Sequence, residues 1–248
     1  MIIIKSASEL EAMRRVNQMT ARLRTTLADK VCPGITTLEL GDFAKKFIHE
    51  LGGVSAFYGY CGYPGQICVS VNDEVVHGIP GRRVIHEGDI VSIDTGISFE
   101  GFIGDTAVTV GAGKISAENQ RLLDVTKASL DAGIAMAVEG NRLGDISHAI
   151  QTVAEKAGFT VVREFVGHGI GRDMHEDPQI PNFGKPGRGP VLKAGMTLSI
   201  EPMVNIGGAK VNVLDDNWTA VTADGSNSAH FEHTVAVGKT KPDVLTAL

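Results

Sequence analysis

The sequence predicts an α+β fold, with two similar halves packed around one sheet and helices laid over one face. Two observations carry this. The elements run helix, helix, strands and then helix, helix, strands again, with no linker or low-complexity tract between the runs. The strand-like segments are apolar or alternating and are punctuated by turn residues, in a chain with 30 glycines among 248 residues. The expectation is a single domain, 1–248, made of two similar halves, about 1–112 and 113–248, that meet near Gly111–Gly113.

Ser6-x-x-Glu9 is a capping box and opens a helix running to about Ala28, which Val31-Cys32-Pro33-Gly34 ends. Thr36-x-x-Glu39 opens a second helix that stops near Gly52-Gly53. Strands are expected at Ile67–Val71, Ile90–Asp94 and Phe102–Val110. In the second half, Ser116 starts a helix to about Val138, and another spans roughly Arg142 to Ala157. Further strands are expected at Thr160–Phe165, Thr197–Val204, Trp218–Thr222 and His230–Val237.

A net charge of -6 argues against binding to a phosphate backbone, so no specific nucleic acid is expected. Three cysteines, Cys32, Cys61 and Cys68, form no CxxC pair and no disulfide framework, which fits a reducing cytoplasm. Met1–Ile4 is too short for a signal peptide, and no apolar run approaches a membrane span. A cytoplasmic monomer without membrane partners is the default expectation.

Five residues stand out as candidate ligands: Asp94, Asp105, His168, Glu201 and Glu232. Four carboxylates and one imidazole suit two hard or borderline divalent cations better than one zinc. A two-residue turn at Phe99-Glu100 would set Asp94 directly opposite Asp105, and a bridging cation would remove the repulsion between them. The ordinary alternative is two solvent-facing aspartates near a turn, and Asp105 after Gly104, taken alone, fits it equally well. His168 lies in Val166-Gly-His-Gly-Ile-Gly171, whose glycines allow close backbone approach but whose spacing is not a dinucleotide fingerprint; in isolation it reads as a structural histidine in a turn. Glu201 ends an apolar strand, and Pro202 holds it extended. Glu232 sits in another strand, where a salt bridge to Lys or Arg is the ordinary alternative. His77, before Gly78-Ile-Pro80, and His175, in Asp-Met-His-Glu, are candidate donors to a substrate amide or oxyanion.

In combination, Ile-Asp94-Thr-Gly, Gly-Asp105-Thr, Gly-His168-Gly-Ile-Gly, Ile-Glu201-Pro-Met, Glu232-His-Thr, His77-Gly-Ile-Pro80 and Cys61-Gly-Tyr-Pro-Gly resemble the methionine aminopeptidases of the bacterial type I form, over nearly the whole chain. The resemblance implies a pita-bread fold, with two pseudo-symmetric halves around a curved antiparallel sheet covered by helices. It implies removal of the initiator methionine from nascent peptide N-termini when the next residue is small, with the ribosome as a candidate partner. It implies two divalent ions, Co, Mn, Fe(II) or Zn. Asp94 would bind one, Asp105 and Glu232 would bridge, and His168 and Glu201 would complete the other. Glu201 would also act as general base, with His77 and His175 on the substrate. Phe57, Tyr60, Tyr63, Cys68, Met174 and Trp218 would form the methionine pocket, and Asn72 and Ser228 a monovalent-cation site. Cys61 and Met174 depart from relatives that carry His and an aromatic residue there. The rival expectations are a prolidase or X-Pro aminopeptidase, which usually has an extra N-terminal domain, and a non-catalytic binding module on the same fold, which would be expected to have lost ligands.

Overall fold

The structure, a computed structural model, describes residues 1–248. Four helices form where expected: α1 (Ala7–Ala28), α2 (Thr37–Glu50), α3 (Ala117–Ala135) and α4 (Leu143–Lys156). Both predicted capping boxes are made: Ser6 and Thr36 accept from the backbone N–H of Glu9 and Glu39, and each glutamate reaches back to the cap backbone. Helix α3 ends earlier than Val138, and Arg142 caps α4 from an extended conformation.

The strands of the first half are β1 (Val54–Ser55), β2 (Cys68–Val71), β3 (Glu74–Val76), β4 (Ile90–Phe99) and β5 (Phe102–Gly111). Those of the second half are β6 (Thr160–Val161), β7 (Gly167–Gly169), β8 (Glu176–Ile180), β9 (Thr197–Ile200), β10 (Met203–Asn205), β11 (Val211–Val213), β12 (Ala220–Thr222), β13 (Ser228–His230), β14 (His233–Ala236) and β15 (Asp243–Val244). The sheets run β1-β4-β2 with β5 beside β4, β13-β10-β6, β11-β12-β3, and β15-β14-β9-β7-β8. Every ladder between them is antiparallel.

Two of the predicted strands are broken. Thr197–Val204 divides at Glu201-Pro202, where proline lacks the N–H a ladder needs. His230–Val237 divides at Phe231-Glu232. The β4–β5 register also differs from expectation. Phe99 faces Phe102, so the turn is Glu100-Gly101, and Asp94 faces Ala107 while Asp105 faces Gly96. The reason lies in the turn: both central residues have positive φ, +50° at Glu100 and +76° at Gly101. Glycine takes that conformation at no steric cost, whereas Phe99 would be strained in it. The shift is two residues, so the pleat still puts Asp94 and Asp105 on one face, as diagonal rather than direct neighbours.

One large apolar core lies mainly among first-half elements, with Met13, Leu23, Ile67, Ile93 and Ile97 fully buried, and a second mainly among those of the second half, with Leu122, Ile146, Ile150 and Leu198. The halves are stitched along a seam between β5 and the segment through β13 and β14. Thr106 Oγ1 donates to the Glu232 carbonyl (2.7 Å), Glu232 N to the Ala107 carbonyl (3.0 Å), and Thr234 Oγ1 to the Asp105 carbonyl (2.8 Å). This seam brings two of the predicted ligands, far apart in sequence, side by side.

Candidate active site

The pleat of β4 and β5 projects Asp94 and Asp105 into a cavity of about 330 Å³. The strand breaks after β9 and β13 add Glu201 and Glu232, and the short strand β7 adds His168. Its flanking glycines are required here. A Cβ on Gly167 would lie 2.5 Å from the Ser199 carbonyl oxygen, and one on Gly169 would lie 2.1 Å from that of Asp177. All five predicted ligands therefore meet.

His168 Nε2 is 3.5 Å from Glu201 Oε1 and 3.8 Å from Asp105 Oδ2. Ligand atoms of Asp105, His168 and Glu232 all lie within 4.8 Å of one another. The His168 Nδ1–H donates to its neighbour's carbonyl at Gly169 (2.9 Å), which leaves the Nε2 lone pair facing the carboxylates. Ser199 Oγ donates to Glu232 Oε1.

The electrostatics are those of a site suited to positive charge. Burial, with the neighbouring carboxylates second, pushes Asp94 and Asp105 well above the usual range. Burial likewise raises Glu201 and Glu232 to about 8. Burial lowers His168 to about 3, so the imidazole is neutral and its approaches to the carboxyl groups are not ion pairs. None of the four carboxyl groups forms an ion pair with lysine or arginine, and Asp94 Oδ1 and Asp105 Oδ1 are buried without any hydrogen-bond partner. Orphaned buried oxygens are costly unless something supplies positive charge. The donor set therefore fits divalent metal.

The apolar end of the cavity gathers Phe57, Tyr63, Cys68 and Met174 in one cluster with Trp218 against it. Tyr63 and Trp218 meet edge to face at 5.1 Å, and the Tyr63 hydroxyl is held by the carbonyls of Ile67 (3.2 Å) and Gly78 (3.0 Å). At the mouth, the Tyr60 hydroxyl and His175 Nδ1 are 2.7 Å apart, and the His175 ring is 4.3 Å from that of His168. His77 holds φ of +63° and stands edge-on to Phe165 and Trp218. Burial lowers His77 to about 4 and also depresses His175, so both imidazoles are neutral near pH 7.

Asn72 and Ser228 do not reach this cavity. They meet each other, Ser228 N donating to the Asn72 carbonyl (2.9 Å), while Asn72 Oδ1 already accepts from Ile90 N (3.0 Å) and Ser228 Oγ donates to Val204 O (3.3 Å). Sequence reasoning overlooked His230, which is buried with its Nε2 3.3 Å from Glu201 Oε2 and that nitrogen without a hydrogen-bond partner. Its alternation with Glu232 in Ala-His230-Phe-Glu232-His was the available signal. The walls Val76, Phe165 and Val166 were overlooked too, and as ordinary apolar strand residues they carried no signal.

The model of metallopeptidase family M24 matches residues 11–239. A curated relative from Bacillus subtilis, methionine aminopeptidase 1, is 52% identical over 246 residues, which cover 99% of each chain. The chain belongs to the methionine aminopeptidases of family M24. The crystal structure of a methionine aminopeptidase from Thermotoga maritima superposes with a TM-score of 0.98 at 46% identity, covering 100% of both chains. A prolidase from Pyrococcus furiosus, at 18% identity, shares the fold alone, with a TM-score of 0.81 over 99% of this chain and 66% of its own. The architecture above is thus the M24 pita-bread fold, and the chain is a metallopeptidase with the hydrolase chemistry of that family. No helix is long and apolar enough to cross a membrane.

Proposed function

We propose that the chain removes the N-terminal methionine from polypeptides whose second residue is small, by hydrolysis of the first peptide bond. The observation that carries this reading is the convergence of four buried carboxyl groups and His168 at one end of a cavity whose other end is apolar and polarisable. Asp94 would hold one divalent ion, Asp105 and Glu232 would be shared by two, and His168 with Glu201 would complete the second. Bound divalent ions, Co, Mn, Fe(II) or Zn, supply Lewis-acid polarisation of the scissile carbonyl and bring the pKa of a water toward neutrality.

The chain's own groups account for the rest. Glu201 takes a proton and passes it to the leaving amine. The Tyr60 hydroxyl lies 2.7 Å from His175 Nδ1; with Tyr60 as the donor, the imidazole proton sits on Nε2, free to donate to a developing oxyanion. His77, neutral and held by its edge contacts, orients the substrate amide. Phe57, Tyr63, Cys68, Met174 and Trp218 receive the unbranched thioether. Crowding beside the carboxylates restricts the second residue to small side chains.

The same reading makes 1–248 one catalytic unit with pseudo-twofold halves near 1–112 and 113–248, which the two apolar cores support. It places the protein in the cytoplasm as a monomer, acting on nascent N-termini with the ribosome as a candidate partner; the three free thiols suit that compartment. The monovalent-cation role of Asn72 and Ser228 rests on the resemblance alone.

The test is to strip metal, restore Co(II) or Mn(II), and follow methionine release from Met-Ala-Ser beside Met-Lys-Ser and Ala-Pro-Ser. Metal-dependent cleavage of Met-Ala-Ser alone is expected. Cleavage of Ala-Pro-Ser would move the assignment to an X-Pro peptidase, and no cleavage by metal-loaded protein would leave a binding module.

A further inference from the structure

A second cavity, of about 270 Å³, lies between α1 and α3 over the seam that joins the halves, and it shares no lining residue with the active-site cavity. Arg24 and Thr25 come from α1, Lys127 and Asp131 from α3, and Phe231 and His233 flank Glu232 at the floor.

The feature needing explanation is Arg24. It is desolvated enough for burial to depress its pKa, yet the guanidinium stays charged. It forms no ion pair, and one hydrogen bond, Nη1 to Thr106 Oγ1 at 2.8 Å, uses one of its five N–H groups. Lys127 faces the same space but is bound to Asp131 at 2.7 Å. His233 Nδ1 is 2.7 Å from the Thr246 hydroxyl. The remaining walls, including Ala28, Val108, Leu130 and Phe231, are apolar.

The geometry points to an anion site for a small carboxylate carrying a short apolar group, bound through the Arg24 fork. A planar carboxylate can take two parallel N–H bonds from a guanidinium. Its apolar tail would fill the aliphatic and aromatic remainder of the cavity. A dianion such as sulfate would set a second charge against the Asp131 carboxylate, whose partner Lys127 is already engaged.

The probe is isobutyrate, titrated by ligand-observed NMR at low salt into metal-loaded enzyme already saturated with L-methioninol, which has no carboxylate, so that the active-site cavity is filled. Binding is expected, and Arg24→Gln weakens it by roughly tenfold or more through loss of charge-assisted hydrogen bonds. Asp131→Asn, an exposed change that leaves Arg24 in place, tightens it by roughly twofold to fivefold by removing the competing carboxylate and releasing Lys127 from it. N-acetylvaline separates two sources of the same group: tighter binding than isobutyrate assigns the cavity to a peptide C-terminus, weaker binding to a free acid. No binding by the wild type, full binding by Arg24→Gln, or sulfate binding as tightly as isobutyrate would each overturn the proposal.

Discussion

The two halves deliver their ligands by opposite means. In the first, Asp94 and Asp105 stand on one uninterrupted hairpin of two ten-residue strands, and the pleat alone aims them. In the second, the ligands sit where regularity fails. Glu201 lies between β9 and β10, Glu232 between β13 and β14, and His168 next to a register shift in a three-residue strand. A ladder fixes direction by parity and resists change. A break releases the backbone, so its side chains are aimed by long-range partners such as Ser199 and the β5 seam. The groups that must handle protons sit at the breaks, and those given only a metal-binding role on the ladder are the pair Asp94 and Asp105.

If that division holds, the largest losses come from the breaks. Glu201→Gln should lower kcat on Met-Ala-Ser by roughly 10²–10⁴, the usual weight of a general acid–base group. A kcat within tenfold of wild type would remove Glu201 from that role. His175→Ala should cost on the order of 100-fold or more in kcat while bound metal, counted by elemental analysis, is unchanged. Pro202→Ala frees Glu201 from its extended conformation and should reduce kcat by roughly tenfold, with little change in denaturation midpoint.

Metal removal sharpens the comparison through its pH dependence. In metal-free protein Glu201 and Glu232 titrate near 8, against an ordinary value of 4.5. Between those values the folded state holds protons that the unfolded chain has released, so these groups make stability fall as pH rises. His168 and His77, lowered to about 3 and 4 from 6.5, act in the opposite sense, their contribution being lost as pH falls below 6.5. From pH 6.5 to 8 the histidine effect fades and the carboxyl effect dominates. Metal-free protein should therefore melt lower at pH 8 than at pH 6.5, and the gap to metal-loaded protein should widen. Metal at about 100-fold over its Kd adds about 2.7 kcal/mol per site. Equal metal-free melting at both pH values would contradict the burial of these carboxyl groups.

The smallest effect belongs to the ladder. Gly101→Ala forces alanine into φ of +76° and should cost about 1 kcal/mol in chemical denaturation, with kcat on Met-Ala-Ser nearly unchanged. A large kcat loss there would show that the hairpin, too, tunes the chemistry.

The sequence by itself determined the helices, because a capping box closes within four residues and needs no distant partner. It determined which residue types could hold metal, and the common face of Asp94 and Asp105, because side-chain parity survives a two-residue error in register. Tertiary structure alone decided that the turn falls at Glu100-Gly101, that two predicted strands break beside Glu201 and Glu232, and that His230 closes on Glu201. It also decided that Arg24 faces an open cavity with four donors unused. Each of these depends on which distant backbone groups and charges arrive beside a residue, and local pattern carries no term for that.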